Sequence, residues 1–254
     1  MGTQPLAGVR VLDLSRLVPG PWATMFLADY GAEVIKVEEP RRGDYSRWSY
    51  PRYRQESVYF ATANRNKRSI KLDLSTATGL EVAMRLAKRS DALVESFRPG
   101  VADRLGLGYE TLSKVNPKLI YVSVTGFGQT GPYRDHAGHD LNISGIAGFL
   151  NPTASNDPPR NSGLQMADFG GASMAVIAVL LALRDRDLTG RGQYLDVAMF
   201  DSLISWSTVT GTSALARLAG FSGEPLLQAF GGNPRYSIYQ AKDDKFLSVS
   251  LLER

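Results

Sequence analysis

VRVLDLSRLVPGPWATMFLADYGAEVIKVE, residues 9–38, reads as strand, helix, strand. VRVLDL (9–14) is a short apolar run that ends at a turn. PWATMFLADYG (21–31) spaces its apolar residues as a helix does and stops at Gly31, and AEVIKVE (32–38) is the next strand-length run. The alternation continues outward. SIKLDL (69–74), ALVESF (92–97), LIYVSVTG (119–126) and residues 193–197 read as further strands, while TGLEVAMRLAKRS (78–90) and VADRLG (101–106) read as helical. Strands separated by helices predict an α/β fold, a Rossmann-like parallel sheet with helices on both faces. Such a sheet keeps its ligand site in the loops beyond its strand ends, and the long loops here are 39–66 and 127–140.

GLQMADFGGASMAVIAVLLAL (163–183) opens a long apolar helix, and TGRGQYLDVAMFDSL gives a turn, a strand and another helix running to about Gly220. The large domain is expected over residues 1–220 and a Gly/Pro-rich linker over 221–234. Residues 235–254 are expected to begin a smaller second domain with a hairpin around Asp243-Asp244. Ending on a strand, the chain reads as cut short within that second domain.

Composition narrows the function. The chain has 254 residues, 43% hydrophobic and 21% charged, which is ordinary for a soluble globular protein. A net charge of +4 suits a nucleotide or coenzyme, and no run of basic residues or zinc-finger pattern points to nucleic acid. The absence of cysteine excludes disulfides, thiolate metal sites and cysteine nucleophiles, and fits a cytoplasmic protein. No signal-peptide pattern opens the chain, and the apolar run Met174 to Leu183 is too short to span a bilayer, so no membrane partner is expected.

Asp168 stands before Gly170 and Gly171 at a helix start. Asp is a preferred helix cap, but the glycines would let a substrate approach, and the helix dipole would keep the carboxylate ionised. His139 lies in AGHDLN, where Asp140 caps the following helix or orients the ring; His136 reads as loop surface. The Pro19-Gly20-Pro21 turn serves equally as an anion site or as plain helix entry. Arg65, Lys67 and Arg68 precede one strand, and Arg98 and Arg104 follow another. In a parallel sheet these could converge on one edge and hold phosphates. No metal-ligand pattern is present.

Taken together, PGPWATMFLADYGAEVIKVE, GDYSRW, NRNKRSIKLDL, ESFRPGVADRLGL, NPKLIYVSVTGFGQTGP, AGHDLN, ADFGG and TGRGQYLDVAMFDSL carry a resemblance. The chain resembles the family III CoA-transferases, the group of carnitine CoA-transferase, formyl-CoA transferase and α-methylacyl-CoA racemase. The resemblance implies an interlocked homodimer. It also implies transfer of CoA from an acyl-CoA to a small carboxylic acid through a covalent intermediate on Asp168. Coenzyme A is then a substrate, and no cofactor is permanently bound. By motif position CoA would contact Leu17, Val18, Pro19, Leu72, Ser96, Phe97, Arg98, Arg104 and Leu105. Ser96 and Val18 replace the Asn and Gln of oxalate-type transferases, which speaks against oxalate and formate. In the racemase branch the same fold uses His139 and Asp168 as an acid–base pair beside a 2-methylacyl thioester; the long GDYSRW…YFATANRNKRSI insert (43–70) looks more like a transferase. A third reading is a non-catalytic fragment.

Overall fold

The computed structural model describes residues 4–150, 160–207 and 234–251, with residues 211, 215 and 218–220 between them. Six strands make one parallel sheet: β1 (Arg10–Asp13), β2 (Glu33–Glu38), β5 (Arg68–Lys71), β6 (Ala92–Glu95), β7 (Ile120–Thr125) and β8 (Tyr194–Ala198). Their spatial order is β5-β2-β1-β6-β7-β8. Chain order reverses between β1 and β6, whose register pairs Asp13 with Val94. The crevice beyond their carboxyl ends is where an open α/β sheet binds ligands.

The strands sort their side chains by period two. Val11, Val34, Val94, Ile120 and Val122 pack on one face with helices α1 (Pro19–Asp29) and α7 (Met166–Thr189). Leu12, Val37, Leu93 and Tyr121 pack on the other with α3 (Ala77–Lys88) and α5 (Tyr109–Val115). The remaining helices are α2 (Val58–Asn64), α4 (Val101–Arg104), α6 (Asp140–Ile146) and α8 (Met199–Ser205). A 3-10 turn (Tyr45–Trp48) and two small antiparallel pairs, β3 (Arg52–Tyr53) with β4 (Glu56–Ser57) and β9 (Tyr236–Gln240) with β10 (Phe246–Ser250), complete the described elements.

The α/β reading from sequence holds, and so does the terminal hairpin: Asp244 turns it with a φ of 60°. Two details differ. Helix α7 spans 24 residues, long and apolar enough by length and composition to cross a membrane, because the helix begins at Met166 and continues to Thr189, past both ends of the apolar run. Here it packs against α1, α8 and β7. Helix α8 ends at Ser205, although residues 211, 215 and 218 beyond it are helical, as expected of the stretch up to Gly220; most of that stretch's other residues, and residues 221–233 of the linker, lie outside the described residues.

The 39–66 insert is pinned at its root. Glu38, 3% exposed, receives Arg47 through Nε at 2.6 Å and Nη2 at 2.7 Å, the Asp44 N–H at 3.0 Å, and the Ser69 hydroxyl. Burial opposes its ionisation, but these donors outweigh it and hold the carboxyl down at about 2. Lys36 Nζ lies 2.9 Å from Asp44 Oδ2 with both side chains buried, a contact of charges without hydrogen-bond alignment, and donates to the Ser15 carbonyl at 2.8 Å.

Candidate active site

Five chain segments meet at the switch point and enclose a cavity of 480 Å³. Arg16–Pro19 follow β1, Ser96–Pro99 follow β6, and Val124–Gly126 close β7. His136–His139 precede α6, and Gln165 and Asp168 open α7. Leu17 adopts a φ of 64°, a left-handed conformation that costs a non-glycine residue about 1–3 kcal/mol. The turn is held across the switch point, where the Arg16 N–H donates to Ser96 Oγ at 2.9 Å.

Asp168 is 8% exposed, in the first turn of α7. Its Oδ2 accepts from Gln165 Nε2 at 3.0 Å, and no Lys, Arg or His pairs with it among the described residues. Burial, reinforced by the neighbouring Asp140 carboxylate, pushes the Asp168 carboxyl up to about 7. The expectation that the helix dipole keeps it ionised leaves this burial out of account. Gly170 and Gly171 differ from expectation too. A Cβ on Gly170 would lie 3.5 Å from the Trp206 ring, and one on Gly171 would lie 2.8 Å from Met199 Cγ. Neither glycine lines the cavity: Gly171 serves the close packing of α7 on α8, while Gly170 leaves ordinary contact room.

Asp140 caps neither its own helix nor the His139 ring. Its Oδ1 accepts the N–H groups of Ala167 at 2.6 Å and Asp168 at 3.2 Å, doing for α7 what the Gln165 side chain at its N-cap does not. His139 is the N-cap residue of α6, and its N–H donates to Asn142 Oδ1 at 2.7 Å. The His139 and Asp168 side chains share the cavity with no hydrogen bond between them among the described residues. His136 is exposed, as its reading as loop surface expects, and also lines the cavity. Tyr59 of α2 brings the insert to the site: it lines the cavity together with Gln165 and Asp168, and burial raises its hydroxyl.

Of the positions expected to contact CoA, Leu17, Val18, Pro19, Ser96, Phe97 and Arg98 line this cavity. Leu72 and Leu105 line an adjoining one of 190 Å³ that shares Arg16 and Phe97 with the first. Arg104 is exposed and lies beside Gly100, its Nη1 3.4 Å from where a Cβ there would stand. The other basic group does not converge with them. Arg65 pairs with Asp29, Arg68 with Glu33 at 3.0 Å, and Lys67 Nζ with buried Asp13 at 3.0 Å. Their partners lie on α1, at the start of β2 and inside the sheet, which no sequence spacing reveals. Sequence reasoning also missed Arg16, Arg134, Gln165 and Tyr59, whose only signals were their places in long loops or beside a motif.

A 3-2-1-4-5-6 parallel sheet with a buried, cation-free carboxylate at its switch point defines an α/β protein with an enzyme-like cleft. The chain belongs to CoA-transferase family III, whose pattern it matches over residues 6–254. It is 39% identical over 244 residues to the succinate–glutarate CoA-transferase of Agrobacterium fabrum, covering 93% of this chain and 60% of that protein. It is 38% identical over 252 residues to the human alpha-methylacyl-CoA racemase, covering 98% of this chain and 62% of that one. A CAIB/BAIF family protein from Brucella suis superposes with a TM-score of 0.87 at 37% identity, over 98% of this chain and 66% of its own. The chain thus spans about half to three fifths of the length of the curated relatives it matches.

Proposed function

We propose that the protein transfers CoA from an acyl-CoA to a small carboxylic acid, with Asp168 as the covalent carrier. The observation that carries this reading is a carboxylate buried in the cavity with no cation beside it. Desolvation leaves such a group poorly stabilised as an anion, and an anion so placed is a ready nucleophile toward a thioester. An Asp168 oxygen attacks the thioester carbonyl; the C–S bond breaks, CoA leaves as thiolate, and an acyl-aspartyl anhydride remains. The thiolate attacks the aspartyl carbonyl, the donor acid departs as carboxylate, and an aspartyl-CoA thioester results. The acceptor carboxylate then displaces CoA thiolate from it, and the thiolate attacks the acceptor acyl carbon. Acceptor-CoA leaves and Asp168 is restored.

Arg16, Arg98 and Arg134 on the cavity wall suit the phosphates of CoA, with Leu17–Pro19 and Ser96–Phe97 against its pantetheine arm and Leu72, Arg104 and Leu105 toward its nucleotide end. Relatives named for succinate, glutarate, malate and oxalate support a carboxylic acid as acceptor. Within this reading CoA is a substrate, and the working protein is a cytoplasmic homodimer.

Racemisation of a 2-methylacyl-CoA is the second reading, favoured by His139 sharing the cavity with Asp168. One experiment separates the two. The protein is incubated in deuterated water with a 2-methylacyl-CoA, and separately with an acyl-CoA plus free acids, then trapped with hydroxylamine. Transfer predicts an adduct on Asp168, no deuterium at the α-carbon, and substantial activity in His139→Ala. Rapid α-deuteration that vanishes in His139→Ala, without an adduct, replaces transfer by racemisation.

A further inference from the structure

Behind the Ser96–Arg98 wall lies another cavity of 190 Å³, which shares Arg98 with the main one. Glu95, at the end of β6, faces it and is 3% exposed. Glu95 Oε2 accepts the Phe97 N–H at 2.7 Å, and Oε1 accepts the Ser123 hydroxyl, which in turn accepts from Tyr194 Oη at 3.1 Å. Every donor points at the carboxylate, the pattern of an ionised group. Yet no Lys, Arg or His forms an ion pair with it among the described residues.

A second, independent feature faces the same space. Tyr121 is 1% exposed, and its hydroxyl has no hydrogen-bond partner among the described residues. Its ring belongs to a cluster of three that all line the cavity: Tyr109 to Tyr194 at 5.4 Å, Tyr121 to Tyr194 at 5.7 Å and Tyr109 to Tyr121 at 6.0 Å between centroids. Asp103 and Glu110 stand on the same wall, so the lining carries three carboxylates against one guanidinium. A buried carboxylate without a counter-ion and an orphan buried hydroxyl each call for a partner. Aromatic faces and carboxylates together attract a positive charge, and most effectively one that gives up its water easily. Among the described residues no group of His, Cys, Asp and Glu is arranged to hold a metal ion, which favours an organic cation.

We propose that this cavity binds a small organic ammonium ion, its charge against Glu95 and its N–H or N–CH groups against the tyrosine faces. The site is separate from Asp168 and does not depend on the reaction assigned there. Because Arg98 borders both cavities, an occupant here repels the guanidinium and alters the affinity of the main cavity for anions, and the effect is reciprocal. Binding also depends on pH. Burial raises the empty-site Glu95 carboxyl to about 7, against the Ser123 and Phe97 donors, and Asp103 and Asp196 push the same way. The other facing groups are Tyr121, Tyr194, Tyr109, Glu110 and Arg98. Ammonium binding therefore strengthens as pH rises through about 7, where Glu95 ionises.

The test is calorimetric titration with tetramethylammonium and methylammonium chlorides at constant ionic strength, with tert-butanol as an uncharged mimic of the first. The expected result is saturable binding of at least one ammonium ion, none of tert-butanol, and at least tenfold weaker binding in Glu95→Gln. Tyr109→Leu, at a half-buried position, gives the same loss and decides the matter if Glu95→Gln does not fold. The absence of saturable binding, equal binding of tert-butanol, or unchanged affinity in the folded variants overturns the proposal.

Discussion

Asp140 holds Asp168 by its backbone: a single oxygen, Oδ1, receives the N–H groups of Ala167 and Asp168 across 27 and 28 residues of chain. The same carboxylate acts on the Asp168 side chain through space, helping to keep its proton on. Position and acidity of the candidate nucleophile thus share one cause, and two substitutions separate them. Asp140→Asn keeps an acceptor for the helix and removes the charge. The acid limb of the pH–activity profile, expected near 7, should then move to lower pH with kcat at its plateau little changed. Asp140→Ala removes both, costing about 1–2 kcal/mol of stability as cap losses do and lowering kcat at least tenfold at every pH. An unmoved acid limb in Asp140→Asn would show that burial alone sets the Asp168 acidity.

Asp168 should weaken the fold that carries it. An acid whose folded-state pKa is raised loses stability as pH climbs above its unfolded value, and the loss is complete above the folded one. For Asp168 that window runs from 3.8 to about 7. Asp168→Asn should therefore abolish transfer yet be more stable than the parent at pH 8 by about 2–4 kcal/mol, and so melt at a higher temperature. The two should melt alike near pH 4. Equal melting temperatures across the range would sink the claim.

Lys67 is assigned here to the frame and not to a ligand. It is buried, and its ammonium donates to Asp13 Oδ2 at 3.0 Å, the Pro21 carbonyl at 2.8 Å and Asn64 Oδ1 at 2.8 Å. Burial works against the Asp13 charge, but Lys67, Lys36 and the Ser15 and Thr24 hydroxyls hold its carboxyl well below the usual range. That stabilisation is present above the ordinary Asp value of 3.8 and disappears as pH falls toward the lower folded value. Lys67→Met should cost about 3–5 kcal/mol by stranding Asp13, and adding Asp13→Asn should restore a good part of it. Chemical denaturation of the three variants measures this. A cost under about 1 kcal/mol for Lys67→Met would return Lys67 to the surface-charge reading.

Two neighbouring glycines should respond oppositely to alanine. Gly170 has ordinary contact distance to Trp206, so Gly170→Ala should be neutral or stabilising by up to about 1 kcal/mol from helix propensity. In Gly171→Ala the new methyl meets Met199 Cγ at 2.8 Å and its Cα at 3.5 Å. Because Met199 also lines the main cavity, this variant should lose stability and raise KM together. Thermal melts and steady-state kinetics on both variants check the contrast.

What sequence could tell depended on locality. The strands announced themselves because each is a short apolar run closed by a turn, and the parallel sheet follows from their alternation with helices, though its strand order does not. Asp168 was visible as an acid opening an apolar helix. The Asp140–Asp168 relation was not visible, because a carboxylate acting on a helix start 27 residues away leaves no mark in spacing. The basic residues 65–68 misled for a related reason: their counter-ions, Asp29, Asp13 and Glu33, come from earlier elements that only the folded sheet brings near. The places of Tyr59 and His136 at the cavity were hidden because periodicity does not describe the course of loops.

The anchoring of the 39–66 insert by Glu38, Arg47, Lys36 and Asp44 has a consequence for how such a protein diversifies. The fastening is at the root, while residues from Tyr50 to Glu56 are exposed or nearly so. A loop clamped at its base and exposed at its tip is an exchangeable cassette. Its outer half can be rewritten, lengthened or swapped between relatives without disturbing the parallel sheet, whereas a change at Glu38 or Asp44 unseats the whole insert and Tyr59 with it.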